Sequence, residues 1–402
     1  MEDPAPRDAT ARSPKVLGAT AGAVFLMATS AVGPGFLTQT AVFTSAFGTD
    51  FAFAILASVL VDLAVQVNVW RVLGVSRKRG QELASALRPG LGTVLALLVA
   101  GGGFAFNVGN LAGCGLGLDV FGVPTPVGAT LSAAVAVLLF ARPEAGRAMD
   151  RFTQGLGAAM ILLTAGVMVA ARPDYAAALR AAVWPEGVAF LPIVTIVGGT
   201  VGGYITFSGV HRLLDAGVGG PGDVPRLSRA AALGIVVTGL MRLLLFLAVL
   251  GVVATAGALD PANPPASAFR LGAGEWGYRV FGVVLWSASI TSVVGCSYTS
   301  FSFVRTLSGP LARRPRQALA AFIAASLAVH LLAGRPVRLL VLAGALNGLI
   351  LPVTLGVVLL SARRRDLMGA YRHPAGLLAV GWLAWLVSVA AGILALRELA
   401  RL

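Results

Sequence analysis

Charge is scarce in this chain. Only 12% of its 402 residues are Asp, Glu, Lys or Arg, and acids are the rarer sign, 17 against 31 bases. A sequence so poor in charge and 57% hydrophobic is not an ordinary soluble domain. There are two cysteines, Cys114 and Cys296, each inside an apolar stretch. They argue against a disulfide framework or a cysteine metal site and read as small buried residues. Aromatics amount to 7% and do not alternate with bases, so the net charge of +14 does not point to nucleic acid. No G-x-x-x-x-G-K-[ST] phosphate loop occurs, which removes the basis for nucleotide-driven transport. No cofactor is expected. Residues 1–15 are polar and contain proline, and read as a cytoplasmic tail. The apolar run that follows outlasts a signal-peptide core and reads as a membrane segment.

What the chain has instead is long apolar runs. A spanning helix needs about 20 mostly apolar residues. Eleven segments qualify, near 16–46, 51–74, 92–119, 125–141, 152–171, 188–214, 229–258, 278–304, 317–334, 337–361 and 375–397. The expectation is an all-α integral membrane protein of 11 transmembrane helices, with residues 16–402 forming one domain. Bases gather in alternate connections: Arg77, Lys78, Arg79 and Arg88; Arg142, Arg147 and Arg151; Arg313, Arg314 and Arg316; Arg363, Arg364 and Arg365. That bias predicts a multi-pass protein of the cell membrane, N-terminus cytoplasmic and C-terminus outside.

The first and sixth segments are too long for one straight span, and each carries a breaker near its middle. The first has Gly33-Pro34-Gly35; the sixth has "GGTVGGY", Gly198 to Tyr204. Proline removes a backbone donor, and glycine lets the chain unwind. In lipid such breaks survive where they face protein or a water-filled cavity. The two breaks occupy matching places in two runs of five segments, about 16–171 and 188–361, with an extra helix at about 375–397. This is the pattern of an inverted-repeat transporter with its site at the midplane.

The stretch "GPGFLTQTAVFTSAFG", the sixth-segment "GGTVGGY" and "LLVLAGALNGLILPVTLGVVLLSARRRDLMGAYRH" resemble the Nramp (natural resistance-associated macrophage protein) divalent-metal transporters. The resemblance covers nearly all eleven segments. It implies a LeuT/APC-type 5+5 inverted repeat with broken helices 1 and 6. It also exposes departures. The family binds metal through an Asp and an Asn of the first segment and a Met of the sixth; here those positions are Gly33, Phe36 and Gly202. Acids that assist proton movement in the family's third segment are missing, and Asn107 and Asn110 stand in that segment instead.

A dehydrated divalent cation needs carboxylate, thioether or imidazole ligands, and the expected centre supplies none. A break does expose N–H groups at the start of each second half-helix, which attract anions. The expected substrate is therefore a small organic solute, such as a carboxylate or amino-acid derivative. Gly33, Gly35, Gly199, Gly202 and Gly203 would let it approach the backbone. Phe36 would wall it, and Thr38, Gln39, Thr40, Tyr204, Thr206 and Ser208 would hydrogen-bond it. The competing reading of each hydroxyl is a local bond to its own helix.

Coupling to H⁺ or Na⁺ is expected. Ionisable groups within spans are few: Asp62, Asp119, Arg242 and His330. An acid inside the membrane is costly and a functional candidate by default, and Asp62 is the best placed. Its alternative is a buried polar residue partnered by Arg242 or a helix hydroxyl. For Na⁺, Thr291 and Ser292 in "SASITSVVG" match the hydroxyl pair of related symporters of that fold. Two alternatives stay open: a Mg²⁺- or Mn²⁺-type metal transporter, and a non-transporting membrane sensor. An enzyme lacks support, since no nucleophile–base pair falls in the expected cavity. The partners expected are the solute with its coupling ion and membrane lipid, with the protein working as a monomer.

Overall fold

The computed structural model of the chain describes residues 14–141, 143–305 and 313–399; the expected tail up to residue 13, and Arg142, lie outside them. Every regular element among the described residues is helical. In chain order they are α1 (Pro14–Ala31), α2 (Pro34–Phe47), α3 (Phe51–Ser76), α4 (Gly80–Leu87), α5 (Leu91–Asp119), α6 (Thr125–Ala141), α7 (Pro143–Ala171) and α8 (Tyr175–Val183). There follow α9 (Phe190–Val201), α10 (Ile205–Asp215), α11 (Val224–Ala256), α12 (Pro264–Val304), α13 (Pro315–Ala333), α14 (Pro336–Ser361), α15 (Arg365–Met368) and α16 (Ala375–Leu399).

Among the described residues, eight stretches are long and apolar enough to cross a membrane, or nine if the bent pair α7–α8 counts as one. That is fewer than the expected eleven. The first segment is split, so its opening half, Thr20–Ala31, falls short, and α2 runs through a 3-10 turn at Gly48–Asp50 into α3. The fourth segment, Thr125–Phe140, is also short. α8 turns through 108° from α7, and Gly274 (φ 66) interrupts α12, so neither element is one straight rod. Large apolar side chains point outward all round: Leu332 is 88% exposed, Leu162 74% and Leu138 64%. On a soluble protein such a surface would aggregate; here it is what hydrocarbon requires.

Both expected breaks are present. The first lies at Val32 and Gly33. Gly33 is extended (φ −95, ψ −174), and Pro34 opens α2, where its missing N–H leaves no bond unmade. The second lies at Gly202 to Tyr204, where Gly203 takes a left-handed φ of 54. That conformation suits glycine alone without strain. The halves pair across the breaks: α1 packs on α10, and α2 on α9.

Small residues bring the scaffold close. A Cβ on Gly198 of α9 would overlap backbone of Gly344 and Gly348 on α14, and one on Gly113 of α5 would overlap the Pro34 ring. The second contact holds the first break against α5. The two cysteines are free and buried.

Candidate functional site

The first break is lined by two polar side chains. Ser292 of α12 has its Oγ 3.0 Å from where a Cβ on Gly33 would lie, and Asn110 of α5 has its Oδ1 3.9 Å from that point. The Ser292 hydroxyl and the Asn110 amide nitrogen are buried and make no hydrogen bond to protein. Asn110 also reaches the second break, because its side chain and the Cys296 thiol both face the Tyr204 hydroxyl. Tyr204 is buried edge-on to Phe106, with centroids 5.6 Å apart.

Asn347 of α14 supports the second break. Its Nδ2 donates to the carbonyls of Gly102 (2.9 Å) and Ala343 (2.8 Å), while its unpartnered Oδ1 presses on Gly203. The Thr206 hydroxyl donates to the Val201 carbonyl, satisfying a group that the end of α9 leaves free. Gln39 joins α2 to α14 by donating from Nε2 to the Leu340 carbonyl at 2.9 Å. Its Oε1 is unpartnered and lies 2.8 Å from a Cβ position on Gly199.

A cavity of about 940 Å³ opens away from the α2–α9 side, and neither of those half-helices lines it. It runs along α1, α10 and α12, past Phe25, Thr29, Ser30, Ser208, His211, Tyr298 and Ser302, and Ser292 lies on its wall. Among its lining residues, Arg79 and Asp215 form a 2.5 Å ion pair at the arginine-rich end.

Of the expected binding residues, only Ser208, Thr291 and Ser292 line this cavity. Gly33, Gly35, Thr38, Gln39, Thr40, Gly199, Gly202, Gly203, Tyr204 and Thr206 belong to the two breaks and their half-helices and are buried without lining it. The Thr40 hydroxyl donates to Phe36 O (2.7 Å), Ser208 to Ile205 O (3.0 Å) and Thr291 to Ser287 O (2.9 Å), the local bonds of the competing reading. Thr38 has no such bond. Phe36 packs under Arg242 (4.2 Å from guanidinium carbon to ring centre) and walls no open space. Asn107 turns away from the breaks and donates to Ser326 of α13 at 3.2 Å. Asp62 lies outside the cavity, buried near Arg242.

Sequence reasoning missed Asn347 and the inner wall of Thr29, Ser30 and Ser302. Asn347 had a legible signal, an amide alone in an apolar run. The wall residues had none, because serine and threonine recur in every span.

Residues 24–398 match the family described as natural resistance-associated macrophage protein-like, Nramp. The chain belongs to the Nramp family. An uncharacterized membrane protein of Bacillus subtilis, YcsG, is 50% identical over 373 residues, 92% of each chain. An uncharacterized membrane protein of Haemophilus influenzae is 48% identical over 365 residues, 90% of this chain and 92% of its own. Among solved structures, a mutant of the Eremococcus coleocola manganese transporter superposes with a TM-score of 0.72 at 15% identity, covering 94% of this chain and 85% of that one. Mhp1, a nucleobase-cation-symport-1 family transporter in a closed conformation with bromovinylhydantoin bound, gives 0.58 at 16% identity, covering 94% and 92%. This Nramp protein is thus a multi-pass membrane transporter with the LeuT-type fold.

Proposed function

We propose that this Nramp protein carries a small organic solute, of the carboxylate or amino-acid-derivative class, by alternating access with H⁺ or Na⁺ coupling. The observation that carries the reading is the chemistry at the first break. The groups on offer there are the buried, unpartnered Ser292 hydroxyl and, further off, the Asn110 side chain, which turns its Oδ1 toward Gly33 beside the first turn of α2. A free hydroxyl donor next to the N–H groups of a half-helix N-terminus suits a carboxylate. Where the family places Asp, Asn and Met, this chain has Gly33, Phe36 and Gly202. Among the described residues no three His, Cys, Asp or Glu side chains gather into a metal-holding group. The Mhp1 structure, with its bound hydantoin, shares the fold and supports the reading that the fold accommodates an organic ligand.

The cavity along α1 and α10 ends at Arg79, Arg212 and Asp215. With the arginine-rich connections in the cytoplasm, the cavity opens inward, while Gln39, α2 and α9 close the outer side. Ser292, and Thr291 beside it, are the candidate coupling-ion hydroxyls.

A metal reading has one specific support. The Asn347 Oδ1 beside the second break and the Gln39 Oε1 are unpartnered carbonyl oxygens, ligands a hard cation accepts. The manganese transporter of the same fold favours it as well.

Thermal unfolding of the purified protein against a panel decides between them: Mn²⁺, Mg²⁺ and small carboxylates, each with and without Na⁺ at two pH values. A ligand at 100 times its Kd stabilises by about 2.7 kcal/mol. Stabilisation by a carboxylate, lost in Ser292→Ala, is the expected result. Stabilisation by metal alone, lost in Asn347→Ala, would overturn the organic-solute reading.

A further inference from the structure

Arg242 of α11 is 2% exposed in the middle of a membrane-spanning helix. Its Nη1 donates to the Thr200 hydroxyl at 3.0 Å and to the Ile196 carbonyl at 3.3 Å. Both acceptors are in the last turns of α9, the half-helix that ends at the second break, where the helix dipole presents its negative end. On its other face the guanidinium lies over the Phe36 ring, 4.2 Å away, in the first turn of α2. One cation therefore touches both half-helices on the same side of the site. Its Nε and Nη2 remain buried without a partner.

Asp62 of α3 is 1% exposed, and its Oδ1 also lacks a partner. Helices α2 and α9, which flank the pair, carry no ionisable side chain. α3 packs on α11, where a Cβ on Gly239 would meet Val59 one turn from each side chain, and among the described residues Arg242 is the charged group near Asp62. No direct ion pair between them is closed: Asp62 Oδ1 and Arg242 Nε and Nη2 all stay without a hydrogen-bond partner. A purely structural ion pair would be expected to close, because leaving buried charged atoms unpaired is costly. An acid inside a span also needs a reason to be there.

We propose that Asp62 is the proton-binding group of this transporter, and that Arg242 is the positioning residue that converts its protonation into the packing of α9 against α2. The proposal rests on the reading of the breaks as an alternating-access site. When the Asp62 carboxylate takes a proton from water, the negative charge that attracts Arg242 disappears. The guanidinium then has only Thr200, the Ile196 carbonyl and the Phe36 face, and grips both half-helices. When Asp62 releases the proton, its carboxylate competes for the guanidinium and the grip loosens. Acid thus favours the state seen here, with α2 and α9 docked and the cavity along α1 open.

Spin labels on Gly18→Cys and Tyr298→Cys, in full-length protein in lipid nanodiscs, read this by pulsed distance measurement. Both positions line the cavity, Gly18 has open space around it, Tyr298 is 57% exposed, and both native cysteines are buried. The expected result is a severalfold larger open-to-closed ratio at pH 5.5 than at pH 8. In Asp62→Asn the ratio stays at its acid value at both pH values. In Asp62→Asn with Arg242→Met, which leaves no buried charge and guards against misfolding of the single variant, it is independent of pH and shifted toward closed. An Asp62→Asn protein that keeps the pH response overturns the proposal. So does a native protein whose distances ignore pH; if the carboxylates or metals of the ligand panel still shift them, the alternating-access reading survives, and if they do not, it falls as well.

Discussion

Ser292 faces Gly33 across the first helix break, its Oγ 3.0 Å from where a Cβ on Gly33 would lie, with no hydrogen bond of its own. Gly33 has φ −95 and ψ −174, an extended conformation that alanine adopts without strain. Gly33→Ala therefore adds a methyl beside a hydroxyl and little else. The expected outcome is a melting temperature close to that of the native protein, and at least a tenfold loss of affinity for the ligand that stabilises it. Calorimetric titration checks this; unchanged affinity would place the ligand elsewhere.

Gly203 gives the contrasting case. Its φ of 54 penalises any side chain, and a Cβ there would run into the Asn347 amide oxygen. Gly203→Ala should destabilise by about 1–3 kcal/mol from the backbone alone. Trimming the neighbour in Asn347→Ala relieves the clash and leaves the backbone term, so the double variant should recover part of the loss. Thermal unfolding of the three variants separates the two contributions.

Gln39 ties the first broken segment to α14 through the Leu340 carbonyl. Gln39→Leu leaves that buried carbonyl without its side-chain donor, at about 1–3 kcal/mol. Because this contact belongs to the docked arrangement of α2, its loss should also lower the open-to-closed ratio of the Gly18–Tyr298 distance pair. A lower melting temperature with unchanged distances would make Gln39 a matter of packing alone.

His373 lies in the connection before α16, outside the spans. Asn68 uses its amide nitrogen on Ala64 O and Leu377 O, so its Oδ1 accepts from the His373 ring Nε2 at 2.9 Å. Burial, and then the nearby Arg71 charge, bring the ring from its ordinary value near 6.5 down to about 4. Between those values the unfolded chain binds a proton that the folded chain lacks. Stability should therefore fall as pH drops from about 6.5 to about 4, with no further contribution from this group outside that window. His373→Gln should flatten this part of the pH–stability curve, which melting temperatures in steps of half a pH unit would show.

Much of this protein is legible in its amino-acid sequence. Hydropathy alone places the helical segments, because lipid forces each crossing to satisfy its own backbone. Pro34 and the glycines at 33, 35, 202 and 203 mark both breaks, since no other residues unwind a helix so readily. The motifs around them mark the family. Tertiary structure decided what local patterns cannot encode: which side chains meet. That Ser292 and Asn110 converge on Gly33, that Asn347 braces Gly203, and that Arg242 reaches α2 and α9 at once are contacts between residues far apart in the chain. Asn107, one turn from Asn110, points to α13 instead, and Phe36 faces a guanidinium rather than open space. Sequence spacing fixes the face of a helix a residue occupies, but only packing fixes what that face meets.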